Sequence, residues 1–332
     1  VFMRRMPHLW VCLCLAAWAW PGRLAAEDPQ PRGVVSSSSK ILSSGYDLLN
    51  ISRAREIGAD RRGKDPRRAR REALEKVNHE LAMQWAIKAH EFADSMRLQE
   101  SEHFLFFQAL EGRNDRPLAT VAERAYRTWC NLMGVSSDQD VWCGKLPVFI
   151  FRNADHYRRF CRDVVDGPGD PPGGWHGRLL NLDFVCLTTC ENQTAFYELF
   201  VRQAAASFLN RHVGRSIKPW LREGLASLAA AKAVGGTSDQ AYRETVRRAL
   251  QKQLDVSLLL DKVELTGDEP LLAYGMVRYL VAIDAQAMRR LVALLCENRG
   301  ETQALETAYR LTGEQLAREW REAALREVPP GN

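Results

Sequence analysis

The stretch FYELFVRQAAASFLNRHVGRSIKPWLREGLASLAA, Phe196 to Ala230, decides how this chain is read. Phe196, Phe200, Ala204 and Phe208 recur at four-residue spacing, with Tyr197, Val201, Ala205 and Leu209 one step round. Such spacing makes a broad apolar stripe and predicts a helix buried along one side. A turn with Gly214 and Pro219 follows, and Trp220, Leu221, Leu225 and Leu228 then open a second helix whose first turns carry Glu223, Gly224, Leu225 and Ala226. The two helices are expected to lie against each other.

Around this hairpin the chain has the composition of a folded protein. Its 332 residues are 46% apolar, enough for one large domain or two modest ones, and this excludes a disordered chain. The net charge of +5 is concentrated between Arg53 and Arg71, a run read as a solvated face with no nucleic-acid partner. Towards the amino terminus, Arg4 and Arg5 precede the apolar run Leu9 to Trp20 and small residues ending at Ala25 and Ala26. This is the order of a secretory signal, and a twelve-residue apolar helix reaches only about 18 Å, short of the roughly 30 Å of a bilayer core. The expectation is therefore a signal at 1–26, cleaved, with an uncleaved anchor as the alternative. No stable membrane span is expected after cleavage. An exported chain would keep Cys130, Cys143, Cys161, Cys186, Cys190 and Cys296, and a Cys130–Cys143 bridge across the short polar loop between them is the first expectation.

Residues 27–64 are read as a flexible linker. Residues 65–100 are read as a helical segment packed on the main domain through Leu74, Val77, Leu81, Trp85, Ala89 and Phe92. Ser101 to Gln108 predicts a strand, Asp115 to Gly134 an amphipathic helix, Leu146 to Phe151 a buried strand, and Asn153 the start of another helix. A Gly/Pro loop spans Asp166 to Gly177, and Leu179 to Leu187 predicts an edge strand. Everything after Ala230 reads as helical, with separators at Gly300 and Gly313. The fold class is thus α+β and predominantly helical: a small sheet lobe, then a helical lobe, preceded by a helical amino-terminal segment.

The pairing of Pro219, Trp220, Leu221, Glu223, Gly224, Leu225 and Ala226 with the preceding helix resembles the zinc-binding core of the gluzincin, peptidase MA-like metallopeptidases. That family's pattern runs His-Glu-x-x-His, a loop, then Pro-x-Trp-Leu-x-Glu-Gly-Leu-Ala. The second half matches apart from the missing spacer before Trp220. In the first half, Arg202, Gln203 and Ala206 stand where the resemblance implies histidine, glutamate and histidine. Two neutral imidazoles at i and i+4 meet a metal from one helical face, and the glutamate between them acts as base on the metal-bound water. Arginine and alanine cannot ligate zinc, and an amide does not accept the proton. Of the implied ligand set only Glu223 is retained. The order of elements from about Ser101 to Leu325 also resembles this zincin-like fold, with 101–328 as the domain. By that resemblance Trp175, His176 and Gly177 border a substrate cleft, with Tyr274 near it; read by themselves, the first three fit a surface loop equally well and Tyr274 fits a core position better.

The function expected from these residues is that of an exported, periplasmic or extracellular pseudopeptidase. It would have lost zinc, hold no cofactor, and bind a peptide or protein in its cleft or serve a structural role. The alternative is a divergent, active zinc-dependent hydrolase in which Glu223 joins His176 or His212 around a displaced metal. A purely structural protein, its cleft filled by its own side chains, is the third reading.

Overall fold

A computed structural model describes residues 66–327, apart from 92, 94–95, 110–115, 169–172, 215–216, 236–237 and 253–254. The expected signal and linker lie outside the described residues. The elements run α1 (Pro66–His90), β1 (Arg97–Glu100), β2 (Phe104–Gln108), α2 (Arg116–Met133), β3 (Leu146–Phe151), α3 (Ala154–Asp163), β4 (Gly174–Leu179) and β5 (Leu182–Thr188). The helical part follows: α4 (Gln193–His212), α5 (Pro219–Ala230), a π-helical turn (Ala231–Gly235), α6 (Ser238–Gln251), a 3₁₀ turn (Val256–Asp261), α7 (Glu269–Ile283), α8 (Ala285–Cys296), α9 (Glu301–Tyr309) and α10 (Gly313–Glu327). The fold is α+β and mostly helical, with one small mixed sheet.

The strands lie in the order β1-β2-β3-β5-β4, parallel at β2–β3 and β3–β5 and antiparallel at both edges. Alternation along each strand splits the side chains between two cores. Leu105, Phe107, Phe149, Phe151 and Phe184 face α1 and α3, meeting Trp85 and Phe160. Phe104, Phe106, Val148, Ile150 and Val185 face α2, α4 and the helical lobe. On that side Phe104, Tyr126, Trp129, Trp142 and Phe208 form one aromatic cluster with neighbouring centroids 5.6 to 6.5 Å apart. Each such pair adds about 0.5–1.5 kcal/mol beyond the apolar area it buries.

Three expectations need correction. The amino-terminal segment is not helical to residue 100: α1 ends at His90, and Arg97–Glu100 joins the sheet as its outer strand. The edge strand predicted over Leu179 to Leu187 is an interior one. The edge is β4, built from the end of the expected Gly/Pro loop, and a turn at Leu180 and Asn181, both with positive φ, folds β5 back beside it. The Cys130–Cys143 bridge is absent. All six described cysteines are free thiols; Cys130 is buried beside Tyr126, and Cys143 receives Arg211 Nη2 at its sulfur, 3.2 Å away.

Candidate functional site

The hairpin predicted from Phe196 to Ala230 is α4 and α5. Asn192 caps α4, its side-chain oxygen accepting from the Ala195 amide at 3.1 Å, and Pro219 sits in the first turn of α5, where a missing N–H costs nothing. Trp220 is fully buried and donates from Nε1 to Glu301 Oε1 at 2.8 Å, tying the start of α5 to α9. Gly224 is also a packing residue, though its partner is not the one nearest in sequence. A Cβ there would stand 2.5 Å from Val277 Cγ2 and 2.6 Å from the Ala273 carbonyl, so the glycine serves the contact of α5 with α7.

One face of α4 lies against β4 and β5, and on it the polar residues converge. The Nδ1–H of His176, from β4, donates to Gln203 Oε1 at 2.7 Å, and Asn210 Nδ2 donates to His176 Nε2 at 3.2 Å. Both ring nitrogens are thus committed to neutral amides, which fixes a neutral imidazole with its proton on Nδ1. Burial lowers the His176 pKa and outweighs the Gln203 bond and the Glu223 carboxylate, which raise it, with Arg222 lowering it further. Ser207, one turn beyond Gln203, has its hydroxyl oxygen buried without a hydrogen-bond partner among the described residues. Further along, Asp183 on β5 accepts from Arg178 Nε at 2.8 Å and stands 3.5 Å from Arg211 Nη1, and burial nonetheless pushes its carboxyl upward.

Arg202, also on α4, feels the charge of Glu223. Burial lowers its pKa, and two carboxylates act against that, Glu223 first and Glu198 second. Glu223 Oε1 itself accepts from its neighbour Arg222 Nε at 3.2 Å. The carboxylate that the zincin resemblance assigns to a metal is therefore surrounded by guanidinium charge. Ala206 is buried and brings no donor atom.

The predicted site residues divide clearly. His176, Gln203, Arg202 and Glu223 come together; Trp175, His212 and Tyr274 do not join them. Alternation along β4 sends Trp175 to the opposite face of the sheet, against Phe184 at 5.2 Å between centroids. Tyr274 is a buried core residue of α7, edge-on to Tyr242 at 5.4 Å. His212 ends α4 against Phe208, and its carbonyl faces Cys296. The sequence reading missed Asn210 and the Arg178–Asp183–Arg211 group. The signal was available: Gln203, Ser207 and Asn210 at i, i+4 and i+7 fall on one face of the helix as a polar stripe.

Among the described residues, one group of three carries ligand atoms close enough to share a metal: Glu102, His103 and Glu123. Glu223, His176 and His212 do not form such a group. Glu123 is already engaged, accepting from Ser101 Oγ at 2.6 Å, from the His103 amide at 2.9 Å and from His103 Nδ1 at 2.7 Å. These bonds pin the β1–β2 turn to α2. No described helix is long and apolar enough to cross a membrane. In comparisons with known proteins, no family model matches the chain and no curated protein matches it.

Proposed function

We propose that this chain is an exported pseudopeptidase: a gluzincin-like framework whose zinc centre has been replaced by an internal polar network, kept to bind an extended peptide or protein segment beside β4. The observation that carries this reading is the bond between Gln203 and His176. The side chain at the position of the general base is an amide, and it is spent on holding a strand residue. The donor set does not fit zinc. Arg202 repels a cation, Ala206 offers no ligand atom, and the Nε2 lone pair of His176 is taken by Asn210. Without two imidazoles and a base, neither metal affinity nor water activation remains.

What is left suits recognition. An edge strand offers unpaired backbone groups to an added strand, and the charges that act on its His176 are one carboxylate, Glu223, and one guanidinium, Arg222. The test is to incubate the purified chain with a pool of fluorescent extended peptides, following polarisation and cleavage together. Retention without cleavage, weakened by Glu223→Arg, is expected. Turnover of the peptides, or no retention at any concentration, overturns the proposal.

A further inference from the structure

A cavity lies at the other end of α5 from Glu223. Where α2, the π-helical turn, the end of α7 and the start of α8 meet, there is a cavity of about 310 Å³. Its apolar side is made by Leu132, Val281 and the buried Met288, and its polar side by Thr128, Lys232 and Arg289. This volume is at the lower end of what small-molecule pockets occupy.

Two cations, Lys232 and Arg289, line this one cavity. No carboxylate lines the cavity. The nearest acid in sequence, Asp284, is spent on capping α8, accepting from the Gln286 and Ala287 amides at 2.8 and 3.0 Å. Arg289 is held in place: Nε donates to the Asn131 carbonyl at 2.9 Å, while its methylenes lie 3.4–3.5 Å from where a Cβ on Gly134 would be. This fixes one edge of the guanidinium and leaves the terminal nitrogens as donors. Lys232 owes its place to the π-helical turn, a wider winding that shifts the register of the residues after α5 and is frequent at functional sites.

We propose that this cavity binds a small amphipathic carboxylate, its charged end between Lys232 and Arg289 and its short apolar body on Leu132, Val281 and Met288. Two cations facing the same space without a counter-charge favour an anion, and the apolar wall distinguishes a carboxylate with a hydrocarbon body from a bare inorganic ion.

The test uses the full chain and three probes followed by calorimetry: hexanoate, hexanol and inorganic phosphate. Hexanoate is expected to bind on the order of 1 mM or tighter, with hexanol and phosphate each at least about tenfold weaker. Lys232→Gln, at an exposed position, is expected to weaken hexanoate about tenfold, and Ala285→Trp, which fills the mouth, to abolish binding. Because both positions are exposed, folding of these variants is checked by unchanged circular dichroism. Phosphate binding as tight as hexanoate would show surface charge alone and overturn the proposal. So would hexanoate binding unchanged in Lys232→Gln and Ala285→Trp, or none in the wild type. Glu223→Arg, at the peptide cleft, leaves hexanoate binding unchanged, so the two sites are tested separately.

Discussion

Gln203 Oε1 accepts the Nδ1–H of His176 at 2.7 Å, joining the first helix of the hairpin to the edge strand of the sheet. An amide is suited to this, because it satisfies a neutral ring without charging it. Gln203→Glu would place a carboxylate on Nδ1 and favour the imidazolium. The His176 pKa, followed by NMR, is expected to rise relative to the wild type. Gln203→Ala would strand the Nδ1–H and lower stability by about 1–3 kcal/mol in denaturant unfolding. No change in either quantity would mean that the bond is incidental.

The same ring makes a prediction about acid. Burial depresses the pKa of His176 and of His212 in the folded chain, whereas the unfolded chain takes its protons near the ordinary value of about 6.5. Below that pH the unfolded state binds more protons than the native one, so stability falls as pH falls, until the depressed native pKa is reached. Each pH unit inside that window costs up to about 1.4 kcal/mol per histidine. Denaturant midpoints measured from pH 7 to pH 5 should decline, and His176→Gln should flatten the decline. A profile unaffected by that substitution contradicts the assignment.

Gly224 gives a packing prediction. Since a Cβ there would meet Val277 and the Ala273 carbonyl at 2.5 and 2.6 Å, Gly224→Ala forces α5 and α7 apart. A loss of about 1–3 kcal/mol is expected, in spite of alanine's better helix propensity. Val277→Ala in the same chain should recover part of it, as the smaller neighbour makes room. An unaltered midpoint in Gly224→Ala would show that the helices are not in this contact.

Arg202 and Glu223 are expected to be energetically coupled, because Glu223 is the leading opposite charge acting on the arginine. A double-mutant cycle of Arg202→Ala and Glu223→Ala should return a coupling of about 0.5–3 kcal/mol. Strict additivity would leave Glu198 as the partner that matters.

Much of this molecule was legible in its sequence, and the illegible parts share a cause. Periodicity identified α2, β3 and α4 closely, since each has a face that packing decides: Leu118, Val121, Ala125 and Trp129 on one helix, and the wholly apolar Leu146 to Phe151 on the strand. The edge strand β4 was hidden because its glycines are read as loop signals, although they serve close approach. A Cβ at Gly174 would stand 2.8 Å from Leu199, and one at Gly177 2.7 Å from Phe184. Within the site, Arg202, Gln203 and Glu223 were singled out by the resemblance to the zincin core, not by spacing alone. Trp175 was misplaced because an alternating strand sends neighbours to opposite faces, and that parity is invisible until the strand itself is recognised. Tyr274 neighboured the cleft only by resemblance, whereas the residue itself read as a core tyrosine, and packing against Tyr242 buries it in the helical lobe.

The central claim is that the framework of a zinc site survives while its chemistry is gone, and zinc stoichiometry measures both halves at once. The wild type and the triple variant Arg202→His, Gln203→Glu, Ala206→His are purified, dialysed, titrated with zinc by calorimetry and assayed for bound metal. The account predicts no bound zinc in the wild type and close to one zinc per chain in the folded triple variant, with Glu223 as the third ligand. A wild type that retains about one zinc per chain, or a correctly folded triple variant that binds none, contradicts it.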